Sequence, residues 1–257
     1  LMAKAPRAGH AKTRLAADIG EAAALEFWSA CLADLGPAVR AAARGVADTV
    51  AVVPADEDAG PVAELLGPGW STIVQGRPGL GGAIAEAFTF ARTRGADRAI
   101  AVSGDNPTLP PALLRAALDT LTRCPAVLGP SPDGGYHLVG VRLPRQRLAG
   151  VGRLGRLVRL VRPGRPGGAG IGPRLAAAFG AARLGGETAL ASTTRELAAA
   201  DLRPCLTEPW PDVDTGADLA ALVAGFHGVG GDTPRTRAWL ARHAALLPTG
   251  EPVPARR

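Results

Sequence analysis

Two acids and a run of bases stand out among the residues able to do chemistry. Asp105 follows four uninterrupted apolar residues, Ala99–Val102, and the pair Ser103-Gly104. A run that is apolar at every position reads as a strand buried on both faces. Pro107 and the Pro110-Pro111 pair end sheet pairing, and Pro111 suits the first turn of a helix. The Asp105 carboxylate is therefore expected at the carboxyl end of a central parallel strand, where open α/β sheets bind ligands. A lone Asp after a strand also serves as a cap or turn residue, so its company has to decide. That company begins with Lys4, Arg7, Lys12 and Arg14, gathered around Pro6 and Gly9. A basic loop after a first strand brings cations and free backbone N–H groups together, which suits phosphate. It is not a Walker A loop: Pro6 stands where the first glycine belongs, and Ala11 where the second does. A solvated basic loop is the plainer alternative.

Three further groups bear on chemistry. Asp133-Gly134 is a strong turn signal, and Tyr136, the only tyrosine, stands with His137 at the entrance of the strand that follows. The turn is the most economical account of Asp133 and Gly134, and the alternative is that Asp133 and His137 face a substrate. The turn Gln75–Gly82 does not match the dinucleotide fingerprint. Its Gly79, Gly81 and Gly82 lack the Cβ atoms that would block approach of a ligand to the backbone. Asp212-Val-Asp214 precedes Thr215 and a helix start, where Asp and Thr are common caps.

The elements that must carry these groups are legible in order. Leu1 already reads as the interior of a strand, so a natural start upstream of it is an expectation. A helix is expected over 21–43, with Leu25, Trp28, Leu32, Leu35 and Val39 as its core stripe and a kink or break at Pro37. Strands are expected at 46–53, 71–74, 99–102, 126–130, 136–141 and 202–206. Helices are expected at 62–66, up to 94, 111–123, 188–200 and 215–226. Asp56, Glu57 and Asp58 fit a helix start. A linker at 228–231, an amphipathic helix over 236–247 and a frayed tail complete the chain.

Bulk properties exclude several classes. The 257 residues are 47% apolar and 20% charged, a composition that buries a core and argues against disorder. No apolar run is long enough to span a membrane, no secretory signal is visible, and a cytoplasmic protein is expected. Cys31, Cys124 and Cys205 lack metal-ligand spacing and read as buried, reduced thiols. His10, His137, His227 and His243 form no metal-binding pair at helical spacing. The net charge of +6 suits an anionic partner. It is weak evidence, because the excess is nearly all Arg.

Four motifs occur in order: Lys4-Ala-Pro-x-x-Gly-x-x-Lys-Thr-Arg-Leu15, Gly104-Asp-x-Pro-x-Leu109, Leu128-Gly-Pro-x-x-Asp-Gly-Gly-Tyr136 and Asp212-Val-Asp-Thr-x-x-Asp-Leu219. Together they resemble the bacterial glycosyltransferase-A-like transferases, the radical-SAM- or selenodomain-associated type. More distantly they are similar to 2-phospholactate guanylyltransferases and molybdopterin nucleotidyltransferases. The resemblance implies an α/β fold: a single GT-A-like domain over 1–227, with a mostly parallel mixed sheet between helices, and residues 228–257 as its carboxyl-terminal extension. It implies nucleotide contacts at Lys4, Ala5, Pro6, Gly9, Lys12, Arg14, Gly79, Gly81 and Gly104. Asp105 and Asp214 become ligands of Mg²⁺ or Mn²⁺, with Asp212 in reserve for Asp214. Catalytic roles fall to Asp105, Lys12 and Asp133, and the acceptor side to Asp133, Gly134, Tyr136 and His137.

The leading expectation is transfer of a sugar from a nucleotide sugar to a small-molecule acceptor. The alternatives are nucleotidyl transfer from a triphosphate with pyrophosphate release, and a degenerate paralogue that binds nucleotide without turnover. The chain departs from the family between 143 and 186. There a Gly/Arg/Pro-rich stretch, with Arg153, Arg156, Arg159, Arg162 and Arg165 at every third place, reads as a mobile solvated insertion. Nucleic-acid binding through Arg153–Arg165 has little support, because that segment contains no aromatic residue for base stacking.

Overall fold

In the computed structural model, which describes residues 1–143, 170–225 and 232–246, the chain starts inside the sheet. Leu1–Ala3 lie between two strands. Met2 bridges Val52 and Ser103, both in parallel sense. After them come α1 (Thr13–Ile19), α2 (Glu21–Ala43), β1 (Val50–Val53), α3 (Asp56–Leu66), β2 (Ser71–Val74), α4 (Gly79–Thr93), β3 (Arg98–Val102) and α5 (Pro111–Thr120). Then follow β4 (Ala126–Pro130), β5 (Tyr136–Arg142), α6 (Ile171–Ala181), α7 (Ala189–Ala199), β6 (Pro204–Leu206), α8 (Gly216–Gly225) and α9 (Pro234–Arg242). The strands run in the order β2-β1, residues 1–3, then β3-β5-β4-β6. β5 is antiparallel to both neighbours, and the other pairings are parallel. The expected mixed, mostly parallel sheet between helices is therefore what forms.

Each face of the sheet carries its own core. On one side Phe27, Leu32 and Leu35 of α2 pack with Leu114 of α5, Leu219 of α8 and Trp239 of α9. On the other Phe88 of α4 meets Leu175 and Phe179 of α6 and Leu197 of α7. α2 has the expected bounds and runs unbroken through Pro37. β3 is fully buried only at Ala101 and Val102, while Arg98–Ile100 stay half-buried.

Several details differ from the sequence reading. Residues 171–181, inside the stretch taken as a mobile insertion, form α6, whose Ile171, Leu175, Ala178 and Phe179 are buried. The Arg153–Arg165 series, the 228–231 linker and the tail lie outside the described residues. Cys124 and Cys205 are not separate thiols but a disulfide with Cα atoms 6.1 Å apart, tying the approach to β4 to edge strand β6. Cys31 is free and buried, as expected. Among the described residues no helix is long and apolar enough to cross a membrane.

The final helix is joined to the main core. Asp34 of α2, itself buried, accepts from Arg235 N (3.0 Å) and Thr236 N (2.7 Å) and so caps α9 from outside it. Trp239 is fully buried and meets Phe27 edge to face at 5.0 Å between ring centroids. Trp239→Ala should cost about 3–5 kcal/mol in urea unfolding. A loss no larger than that of an exposed residue would show α9 to be an appendage.

Candidate active site

Three segments meet at the carboxyl end of β3: the loop 4–12, the turn 103–106 and the crossing 210–214. Backbone and amide contacts hold the crossing in place. Trp210 N donates to Pro130 O (2.9 Å), Trp210 Nε1 to Thr108 Oγ1 (3.1 Å), Asn106 Nδ2 to Pro211 O (2.7 Å) and Val213 N to Asp105 O (3.1 Å). The late loop is thereby laid over the end of the central strand.

Lys12 is the centre of this junction. It adopts left-handed backbone angles (φ 52°) at the start of α1, which turns its side chain inward to 2% exposure. Its Nζ donates to Val213 O (2.6 Å) and Asp214 Oδ1 (3.1 Å), pairs with Asp105 Oδ1, and lies 5.2 Å from the centroid of the Trp28 ring. Three protons thus have three acceptors. Burial alone would lower the Lys12 pKa, but Asp105 and then Asp214 outweigh it and raise it. Asp105 is the mirror case. Burial favours its neutral form, yet Lys12 and a bond from Ser103 Oγ (2.6 Å) hold it below the usual carboxylate range. Arg14 Nη2 takes the other oxygen of Asp214 at 2.5 Å.

The cap at α8 belongs to other residues. Asp218 Oδ2 accepts from Asp214 N (3.0 Å) and Thr215 N (2.8 Å), while Asp218 N donates to Thr215 Oγ1 (3.2 Å). This is a reciprocal capping box with Asp at its third position. The Asp214 side chain, relieved of capping, faces Lys12 and Arg14. Asp105 and Asp214, 109 positions apart by subtraction, converge on one ammonium.

Asp212 completes an acidic group. Burial, then the charges of Asp133, Asp214 and Asp105, push its pKa up to about 7. Among the described residues no ion pair reaches it. Asp133 is exposed and accepts from Gly135 N (2.8 Å) in a tight turn. Carboxylate oxygens with surplus negative charge suit a hard divalent cation, which uses one or two carboxylates plus phosphate oxygens. Among the described residues no three His, Cys, Asp or Glu side chains are grouped closely enough to hold a metal without a substrate.

The other expected contacts divide. Lys4 lies at the rim: its charge helps lower Asp105, its Nζ reaches His10 O at 3.4 Å, and its carbonyl accepts from Trp28 Nε1 at 2.9 Å. Ala5 is buried, Pro6 is half-buried, and Gly9 (φ 71°) commits its N–H to Glu21 Oε1 at 2.8 Å. Arg7 is drawn to Glu57 (2.5 Å) and Asp58 (2.8 Å) at the start of α3. Gly104 faces Trp28, which a Cβ would strike, and Gly81 faces the Phe179 carbonyl of α6. Both are packing glycines. Gly79 (φ 75°) has open space around it.

Gly134 packs under Glu187, and its carbonyl accepts from Leu190 N (3.0 Å), docking the turn on α7. Tyr136 is half-buried, with Oη 3.5 Å from Thr193 Oγ1, and burial raises its pKa. His137 is 1% exposed and does not face a substrate. Sequence reasoning missed the roles of Ser103, Trp28 and Asp218. The Ser-x-Asp spacing at 103–105 and the Thr-x-x-Asp spacing at 215–218 were the available signals.

The fold is that of the nucleotide-diphospho-sugar transferases. A Desulfovibrio desulfuricans G20 protein provisionally assigned to that class, solved at 1.90 Å resolution, is 26% identical, with 96% of this chain and 94% of that one covered at a TM-score of 0.71. The profile of the family described as "uncharacterized protein conserved in bacteria (DUF2064)" matches residues 37–152, a span holding Asp105 and Asp133. CMP:2-keto-3-deoxy-manno-octonic acid synthetase complexed with CTP is 13% identical over 75% of this chain and 86% of that one, at a TM-score of 0.43. No curated protein matches the chain. The GT-A-like resemblance of the four motifs is supported by the Desulfovibrio structure and the family profile together.

Two outcomes check this geometry. Asp218→Ala should cost about 1 kcal/mol by loss of the capping box, while Asp214→Asn should leave the cap intact. For His137, Nδ1 donates to Pro130 O (3.1 Å), Nε2 is buried without a partner among the described residues, and burial pushes the pKa down to about 4. The unfolded chain, with His near 6.5, binds the extra proton first. Stability should therefore fall as pH drops from about 6.5 to 4, by a few kcal/mol at most from this group. Urea midpoints between pH 7 and 4.5 should fall less steeply in His137→Asn, and equal slopes would contradict a buried neutral ring.

Proposed function

We propose that the protein is a glycosyltransferase that moves a sugar from a nucleotide-sugar donor to a small-molecule acceptor. The observation that carries the proposal is the convergence of Asp105, Asp214 and Lys12 at the carboxyl end of the central strand, beside the exposed Arg14. Substrate phosphates bring negative charge to Arg14 and Lys4, while Lys12, buried with all three protons committed, acts on them only through its charge. Asp105 and Asp214 would hold Mg²⁺ or Mn²⁺, which when bound would supply positive charge against the negative charge developing on the leaving diphosphate.

The chemistry then balances as follows. The bond between the anomeric carbon and the phosphate oxygen breaks, and its electron pair leaves with the nucleoside diphosphate. The acceptor hydroxyl oxygen bonds to the anomeric carbon and gives up its proton. Asp133, exposed beside Asp212, is the carboxylate we assign to that proton. Lys12 keeps Asp105 and Asp214 ionised and fixed in direction, so the site pays no reorganisation at the moment of transfer.

A panel of nucleotide sugars, and separately of nucleoside triphosphates, each with Mg²⁺ or Mn²⁺, tests this reading. The expected outcome is metal-dependent release of a nucleoside diphosphate and a glycosylated acceptor. Pyrophosphate release from a triphosphate, with no sugar turnover, would replace it by nucleotidyl transfer. Affinity for nucleoside diphosphates with no product from any donor would indicate a binding paralogue. Asp105→Asn and Asp214→Asn should each lower kcat/KM by about 100-fold or more. The double variant should be little worse than either single one, because groups that hold one ion act as a unit. Each amide still offers Lys12 an oxygen, so denaturant midpoints should move little.

A further inference from the structure

Edge strand β6 is the shortest strand among the described residues, and none of Pro204, Cys205 and Leu206 is buried; Leu206 is 58% exposed. Within the described residues it pairs with β4 alone, over Ala126–Leu128, and Pro204 has no N–H to give to the ladder. The next bond to β4 is from Thr207 N to Leu128 O (2.9 Å). The chain then runs directly into the crossing 210–214, where Trp210 N meets Pro130 O and Asp214 reaches Lys12. The strand that delivers Asp212 and Asp214 is therefore held by a short ladder, little buried area and one covalent bond, Cys124–Cys205. That bond is open to chemistry. Both cysteines are half-buried rather than enclosed. Arg123 adjoins Cys124, Arg203 stands two places before Cys205, and both are exposed. Positive charge beside a sulfur favours the thiolate that must leave when a disulfide opens, and accessible disulfides are the labile ones.

We propose that Cys124–Cys205 is a redox switch: a dithiol opens it, frees β6 and loosens the crossing that sets Asp212 and Asp214. A thiolate of the dithiol attacks one sulfur, and the other cysteine leaves with the electron pair of the S–S bond. The second thiol of the reagent then displaces the cysteine held in the mixed disulfide. The protein gains two electrons and two protons as a pair of thiols, and the dithiol becomes a disulfide. A low-molecular disulfide reverses the exchange. The element with two arrangements is β6, seated on β4 when the bond is closed and frayed from it when the bond is open. The ladders of β5 with β3 and β4 bury their residues and need no covalent support, so they persist in both states. The lever reaches the site because only the residues 206–209 separate Cys205 from the first anchor of the crossing at Trp210.

Native reduction followed by amide exchange tests the switch. Dithiothreitol without denaturant should yield two thiols that iodoacetamide labels at Cys124 and Cys205, with Cys31 left unlabelled in the core. Exchange at Thr207 and Trp210 should then quicken at least about tenfold. Ser103, bonded to His137 O beside the β3–β5 ladder, should keep its rate. Oxidised dithiothreitol should restore the slow rates. A chain carrying Cys124→Ser and Cys205→Ser should exchange as fast as the reduced protein and ignore dithiothreitol. A bond that opens only in denaturant, or unchanged rates at Thr207 and Trp210, would overturn the proposal. So would equal quickening at Ser103, which would make the bond a staple of the whole fold. One arm rests on the glycosyltransferase reading: reduction should lower kcat/KM about tenfold or more, reversibly, because displaced carboxylates lose their aim. Equal kcat/KM in the two redox states would overturn the switch. Absence of turnover in both states would count against the glycosyltransferase reading instead, and the exchange rates would still decide the switch.

Discussion

The burial of one ammonium organises this protein. Taking a Lys charge out of water costs several kcal/mol even after relaxation, and the cost is offset only when every proton finds an acceptor. Lys12 meets that demand with Val213 O, Asp214 and Asp105. Because its acceptors come from the end of the central strand and from a loop 201 and 202 positions beyond Lys12, one side chain locks three distant segments into a single junction. The contacts that hold the fold at this end are therefore the same contacts that fix the direction of the two carboxylates. Removing the ammonium would leave Asp105 and Asp214 beside Asp212 and Asp133 with their mutual repulsion far less compensated.

Reaching that position requires concessions from the backbone. Lys12 takes a left-handed conformation that costs a residue with a Cβ about 1–2 kcal/mol. The strain persists because the side chain is fixed at its far end by three acceptors. Trp28 forms the floor beneath it, and Gly104 admits the edge of that ring where any larger residue would collide. Trp28 in turn donates to the Lys4 carbonyl, so the floor also holds the beginning of the loop. Gly104 thus serves the site through the shape of its floor rather than through a ligand.

How much of this could be read in the chain follows from the range of each interaction. Local signals transferred well. The stripe along α2 and the Pro111 start of α5 both appear as expected, because each depends on neighbours within a turn or two. Asp105 at a strand end was legible for the same reason. What failed depends on partners far away in sequence. The sequence points Gly81 at a ligand, but it faces a helix lying in the stretch that reads as a mobile insertion. The sequence turns His137 toward a substrate, whereas its strand has neighbours on both sides and buries it. The Cys124–Cys205 bond joins residues 81 positions apart, and only the parallel pairing of β4 with β6 brings them together. For Asp214 the chain leaves both a cap and a metal ligand open, because nothing local shows that Thr215 and Asp218 already form the cap.

The junction is also tied to the sheet through a short piece of chain. The loop 4–12 leaves directly from Leu1–Ala3, which bridge β1 and β3. At its other end the loop closes on Lys12, whose protons are all matched by acceptors. The position of Lys4, Pro6 and Gly9 is therefore set from both sides. Ladder bonds to β1 and β3 hold one end, and the other is held by an ammonium that cannot leave its acceptors without stranding a charge in the interior.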